Sequence, residues 1–121
     1  MMEIKLHDAE LKVMDVIWNG GTVSAKDIYR ALKEKFGYSR SATYTLIKRC
    51  IDKRAIERIE PNFICKALVT REETQAMETR ELINKLYGGA ADKLVASILG
   101  TGDLSEQEIH HLRKIVKEWE D

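Results

Sequence analysis

The sequence predicts a mainly α protein with a small β-hairpin: an N-terminal winged helix-turn-helix over residues 1–69, then a C-terminal three-helix dimerisation unit over residues 70–121. Three observations predict it. Apolar residues recur every three to four positions in several segments bounded by glycine and by capping residues. The third such segment is followed by two short β-type runs around Pro61-Asn62. The charge also divides: residues 1–69 carry 13 Lys or Arg against 9 Asp or Glu, whereas residues 70–121 carry 7 against 11. A basic front and an acidic back suggest that the front meets a polyanion.

The first helix lies in "HDAELKVMDVIWNGG", where Asp8 is placed to cap, Leu11, Met14, Ile17 and Trp18 form the apolar stripe, and Gly20-Gly21 ends it. The second begins at Ser24, an N-cap with Asp27 three residues on, carries Ile28, Ala31, Leu32 and Phe36 inward, and stops at Gly37. The third is expected over residues 40–54, and the hairpin strands over 55–60 and 63–69. Near Thr70 the first unit ends. Thr70 and Glu73 then open a fourth helix that carries Leu82, Ile83, Leu86 and Tyr87 and closes on Gly88-Gly89. A short helix follows over residues 90–99, and Ser105 with Glu108 opens a final helix with Ile109, Leu112, Val116 and Trp119 along one side. Three short amphipathic helices of about 50 residues bury too little surface alone, so these eight apolar and aromatic residues are expected to pair two copies as a homodimer.

The third helix carries the function. Counting 100° per residue from Ala42 puts Ala42, Leu46, Ile47, Cys50 and Ile51 on one side, and Ser41, Tyr44, Thr45, Lys48 and Asp52 on the other. A helix entering the major groove presents its first turns to base edges, where Ser and Thr bond several bases. Ser41 and Thr45 are therefore expected at bases, with Arg40 and Lys48 serving phosphates or guanine. The full candidate set for a double-stranded DNA operator is Arg40, Ser41, Thr43, Tyr44, Thr45, Lys48 and Arg49 on the helix and Arg58 on the wing. The wing tip, Glu60-Pro61-Asn62, is not basic, so no strong phosphate clamp is expected there.

Other chemistry finds little support. No apolar run reaches the roughly 20 residues that span a bilayer, and Met1 to Lys5 lacks the apolar stretch of a secretion signal, so a cytoplasmic protein without membrane insertion is expected. Cys50 and Cys65 read as small buried apolar residues. His110 and His111 are adjacent, so they point about 100° apart on a helix, and no metal site is expected. Neither a phosphate loop, a nucleophile elbow nor H-E-x-x-H occurs, which argues against an enzyme and against a cofactor. Trp18, Tyr87 and Trp119 fit core or dimer packing better than a ligand pocket.

Several stretches together, "LHDAELKVMDVIW", "SAKDIYRAL", "TLIKR", "INKLYGGA" and "DLSEQEIHHLRKIV", resemble the penicillinase (beta-lactamase) repressors of the BlaI/MecI type and the related CopY copper-responsive repressors. The resemblance implies a homodimeric transcriptional repressor on an inverted-repeat operator, with N-terminal winged helix domains and C-terminal dimerisation. It also implies inactivation through a membrane receptor-protease system, by cleavage that aligns near Ser97-Ile98. Thr45 matches the family's recognition helix. Departures fall at Ala42, in place of a threonine, at Tyr44, in place of a basic or polar residue, and around Arg54-Ala55, where a glycine enters the wing. The cysteine-rich tail of the copper-responsive branch has no counterpart in "KEWED", so copper sensing through it is not expected. Two classes of function remain open: a DNA-binding repressor, and a winged helix module that binds a protein partner or responds to a small ligand. Salt separates them, since phosphate binding weakens steeply as salt rises.

Overall fold

A computed structural model describes residues 4–120. The elements run α1 (Asp8–Gly20), β1 (Val23–Ser24), α2 (Ala25–Phe36), α3 (Arg40–Asp52), β2 (Ile56–Ile59), β3 (Ile64–Ala67), α4 (Arg71–Leu86), α5 (Ala91–Gly100) and α6 (Glu106–Glu120). The chain divides into two compact units, one ending at Met77 and one beginning at Glu78.

In the first unit α1, α2 and α3 pack around one core of Leu6, Val13, Met14, Ile17, Ile28, Leu32, Leu46, Ile47 and Cys50, closed beneath by Ala55, Ile56 and Cys65. The expected hairpin is there, as β2 against β3 with Arg58 opposite Cys65 and Ile59 opposite Ile64. A third strand joins it. Val23 and Ser24 pair antiparallel with Cys65 and Ile64, so β3 is central in the order β1-β3-β2. Two residues are too few to leave a period in the sequence, and that is why the strand was not expected. The sheet ties the wing to the start of α2, where the Ala25 N–H donates to Phe63 O at 2.9 Å.

Local chemistry sets the helix ends. Ser24 Oγ accepts from the Asp27 N–H at 3.1 Å, and Ser39 Oγ accepts from the Ala42 N–H at 3.1 Å. Gly37, with φ 73°, ends α2 by turning left-handed, which glycine does at no steric cost. The N-cap of α1 is His7 and not Asp8; Glu10 reaches back to accept the His7 N–H at 2.7 Å.

Among the described residues Glu10 is the one buried carboxylate, 1% exposed. Its Oε1 also takes the Lys53 ammonium at 2.6 Å, and Lys53 donates to Lys5 O at 2.9 Å, so the start of α1 is bolted to the end of α3. Burial pushes the Glu10 pKa up, but the His7 N–H and Lys53 outweigh it and hold the carboxyl below its ordinary value.

The first unit runs past Thr70 because the opening turns of α4 belong to it. Thr74 and Met77 are buried, and Arg71 bonds Asp15 Oδ1 at 2.7 Å and Asn19 Oδ1 at 2.9 Å on α1. Trp18 donates to Val69 O at 3.0 Å.

The second unit holds the rest of α4 with α5 and α6. The capping box ahead of α6 forms both ways: the Glu108 N–H donates to Ser105 Oγ at 3.1 Å, and the Ser105 N–H to Glu108 Oε1 at 3.0 Å. No described residue of this unit is buried.

Candidate nucleic-acid interface

The outward side of α3 is built by what its other side buries. Thr43, Leu46, Ile47 and Cys50, spaced i, i+3, i+4 and i+7, are the buried residues of the helix. This leaves Arg40, Ser41, Ala42, Thr45, Lys48 and Arg49 exposed. Three cations and two hydroxyls thus share a surface about two and a half turns long, with Arg40, Ser41 and Thr45 nearer the N-terminus, where the helix dipole favours an anion, and Lys48 and Arg49 beyond them.

Thr43 is corrected by this geometry. It is 0% exposed, and its hydroxyl donates to Ser39 O at 2.9 Å, one turn back. A threonine is tolerated inside because this bond satisfies its only donor. Thr43 therefore lies inside and not on the exposed face, while Ala42, expected inward, faces out. The inward stripe is turned by about one residue from that expected, since a polar Thr hid its inner edge.

Tyr44 is half-buried, and its ring meets that of Phe63 edge-on, with centroids 5.8 Å apart. Arg40 lies over the Tyr44 ring, its guanidinium carbon 5.2 Å from the centroid. On the wing, exposed Arg58 stacks on Phe63 at 3.6 Å and pairs with Glu60. Lys66, opposite Glu57 on the neighbouring strand, is exposed as well.

Sequence reasoning missed three residues near this face. Tyr38, with Ala9, Ser41, Thr45 and Arg49, borders an open hollow beside α3, and its hydroxyl accepts from Lys12 Nζ at 3.2 Å. Phe63 is the third. A lone aromatic at a hairpin tip carries no periodic signal that it will reach a helix some twenty residues earlier.

The thiols lie beneath this surface. Burial pushes the Cys50 thiol up to about 12, helped by the nearby Glu10, and pushes the Cys65 thiol up to about 11. Among the described residues, no group of His, Cys, Asp and Glu is placed to hold a metal ion, and no helix is long and apolar enough to cross a membrane.

The family model described as the penicillinase repressor matches residues 6–118 of this chain. The chain belongs to the penicillinase repressor family. It is 32% identical over 114 residues to the methicillin resistance regulatory protein MecI of Staphylococcus aureus strain N315, a match covering 93% of each chain. The penicillinase repressor of Bacillus licheniformis is 25% identical, over 94% of this chain and 91% of its own. Among solved structures, the DNA-binding domain of the repressor BlaI superposes with a TM-score of 0.55 at 25% identity, covering 60% of this chain and 93% of that one. The B. licheniformis BlaI monomer in complex with the blaP half-operator gives 0.52 at 25% identity, with the same coverage. The family is one of transcriptional repressors, not enzymes, and its winged helix fold is the fold of the first unit.

Proposed function

We propose that the chain is a sequence-specific, DNA-binding transcriptional repressor of the cytoplasm, acting as a homodimer on an inverted-repeat operator. The observation that carries this reading is the exposed face of α3, where Ser41 and Thr45 stand among Arg40, Lys48 and Arg49 on a helix held by a buried apolar core. Ser41 and Thr45 read base edges; Arg40, Lys48 and Arg49 take phosphates or a guanine; Arg58 reaches the backbone from the wing. A repressor so named among the relatives, and a half-operator bound by one of the superposed structures, support the same reading.

The second unit supplies the pairing, through Leu82, Ile83, Leu86, Tyr87, Ile109, Leu112, Val116 and Trp119. Induction runs through a membrane receptor-protease system that leads to a cut at Ser97-Ile98, on α5. Both residues are exposed, which suits attack by a protease, although Tyr87 Oη donates to Ser97 Oγ at 3.0 Å.

The reading is tested at Thr45. Thr45→Ala is expected to cost about 1 to 3 kcal/mol on a duplex selected by the intact chain from a random pool, and little on unselected DNA. Titrations by fluorescence anisotropy on both duplexes decide it, and equal losses on the two would sink the base-reading role.

A further inference from the structure

Four side chains form one continuous row across two elements. Arg40, in the first turn of α3, covers Tyr44; Tyr44 meets Phe63 edge-on at an interplanar angle of 80°; Phe63 carries Arg58 on its face at 3.6 Å. The row crosses from α3 to the wing, and at each end stands an arginine from the charged face. Its wing end is held under strain. Phe63 has φ 48°, a left-handed conformation that a bulky side chain avoids, and it persists because the surroundings fix it. The Ala25 N–H holds its carbonyl, and the rings of Tyr44 and the guanidinium of Arg58 grip its side chain. Glu60, beyond the strand, pairs with Arg58 Nε and so fixes the guanidinium's rotation on the ring. An arginine held over a ring in this way keeps N–H donors at its other edge for the oxygens of a phosphate, with less side-chain freedom to lose on binding.

We propose that the Arg40–Tyr44–Phe63–Arg58 row is what sets the wing against the recognition helix, and that Tyr44 acts in it as a positioning residue, through its ring, and does not read a base. The proposal rests on the DNA-binding reading above and assigns Tyr44 and Phe63 to holding Arg58 at a backbone phosphate.

The test uses the full chain, a duplex selected by that chain from a random pool, and an unselected duplex of equal length, with affinities measured over a salt series. Tyr44→Phe keeps the ring and is expected to bind both duplexes within about twofold of the wild type. Phe63→Leu is expected to weaken both alike, by about fivefold to tenfold at low salt, and to lower the slope of log affinity against log salt by about one per protomer, the share of one phosphate contact. Phe63→Tyr restores both, which separates loss of the ring from loss of the fold. In an Arg58→Gln background Phe63→Leu adds no further loss, as a merely structural role would. Selective loss of the selected duplex in Tyr44→Phe would make Tyr44 a base reader and overturn the proposal. So would a full additional loss from Phe63→Leu in the Arg58→Gln background. A wild-type chain that binds neither duplex in a salt-dependent way removes the DNA-binding reading, and the row with it; the two earlier failures remove the row alone.

Discussion

The two units use similar apolar residues in opposite ways. In the first, Val13, Met14, Ile17, Ile28 and Ile47 are 0% exposed. In the second, Leu86, Val95, Leu99, Val116 and Trp119 are each more than half exposed, and no described residue is buried. Side-chain caps occur in both, at Ser24 and Ser39 in the first and at Ser105 in the second, so capping does not decide which unit has a core. What decides it is whether other elements lie over the stripe. In the first unit three helices and a sheet close on one another, and burying one aliphatic side chain there is worth about 1.5 to 3 kcal/mol. The pairing proposed above would cover the apolar residues of the second unit.

The largest way to break this contrast is to attack the bolt in the first unit. Lys53→Met leaves the Glu10 carboxylate buried with no cation; its Oε2 already has no hydrogen-bond partner among the described residues. A loss of about 3 to 5 kcal/mol is expected, read by urea unfolding. The same pair predicts a pH effect. Because folding holds the Glu10 carboxyl below its ordinary pKa, the native chain binds its proton less readily than the unfolded chain. Its stabilisation is therefore fully present above the ordinary carboxylate range and is lost as pH falls through the depressed folded value. Glu10→Gln should flatten the acid limb of the stability profile, and an unchanged limb would mean that other carboxylates control it.

Next in size is a matched pair of truncations. Ile47→Ala, in the buried core, is expected to cost about 2 to 5 kcal/mol of unfolding free energy. Val116→Ala, on exposed α6, should leave the unfolding of the first unit within about 0.5 kcal/mol while weakening self-association, as read by sedimentation. Equal effects on unfolding would erase the contrast.

Cutting the second unit tests what it does for the first. A fragment of residues 1–97 should keep a folded winged helix yet bind a full inverted repeat at least about a hundredfold more weakly, about 2.7 kcal/mol, because two tethered readers become two independent ones. Mobility-shift titration against the intact chain measures this, and equal affinity would deprive cleavage-driven induction of its physical basis.

The smallest expected effect lies at the end of α3. Arg54 has φ 66°, left-handed backbone where an L side chain is crowded, at the place where the resemblance puts a glycine. Arg54→Gly should raise stability by about 0.5 to 1 kcal/mol, seen as a higher melting temperature.

Much of the first unit was legible because its signals are local. Ser24, Gly37 and the spacing of Ile28 with Leu32 announce α2 without help from any distant residue. Ser41, Thr45 and Lys48 were legible as an outward face for the same reason. Thr43 was not, since its burial depends on a hydroxyl turned to a backbone carbonyl. Glu10 was not, because its cation stands 43 positions away. Tyr44 looked like a surface aromatic until the wing brought Phe63 to its edge. Long-range pairing of single residues leaves no period to count, whereas caps and stripes do.

Cys50 and Cys65 give the first unit two internal clocks. Each thiol is 0% exposed, one on α3 and one on β3. With acidities pushed to about 12 and about 11, neither carries an appreciable fraction of thiolate at neutral pH, so an alkylating reagent finds no nucleophile while the fold is closed. Modification then waits for an opening, and its rate counts openings. Because one sulfur leaves the core only when the recognition helix detaches and the other only when the central strand does, mass spectrometry of partly labelled chains would time the two events separately in the unmodified protein. The same burial keeps both thiols of the folded chain from passing oxidants, so oxidised cysteine would mark chains that have opened.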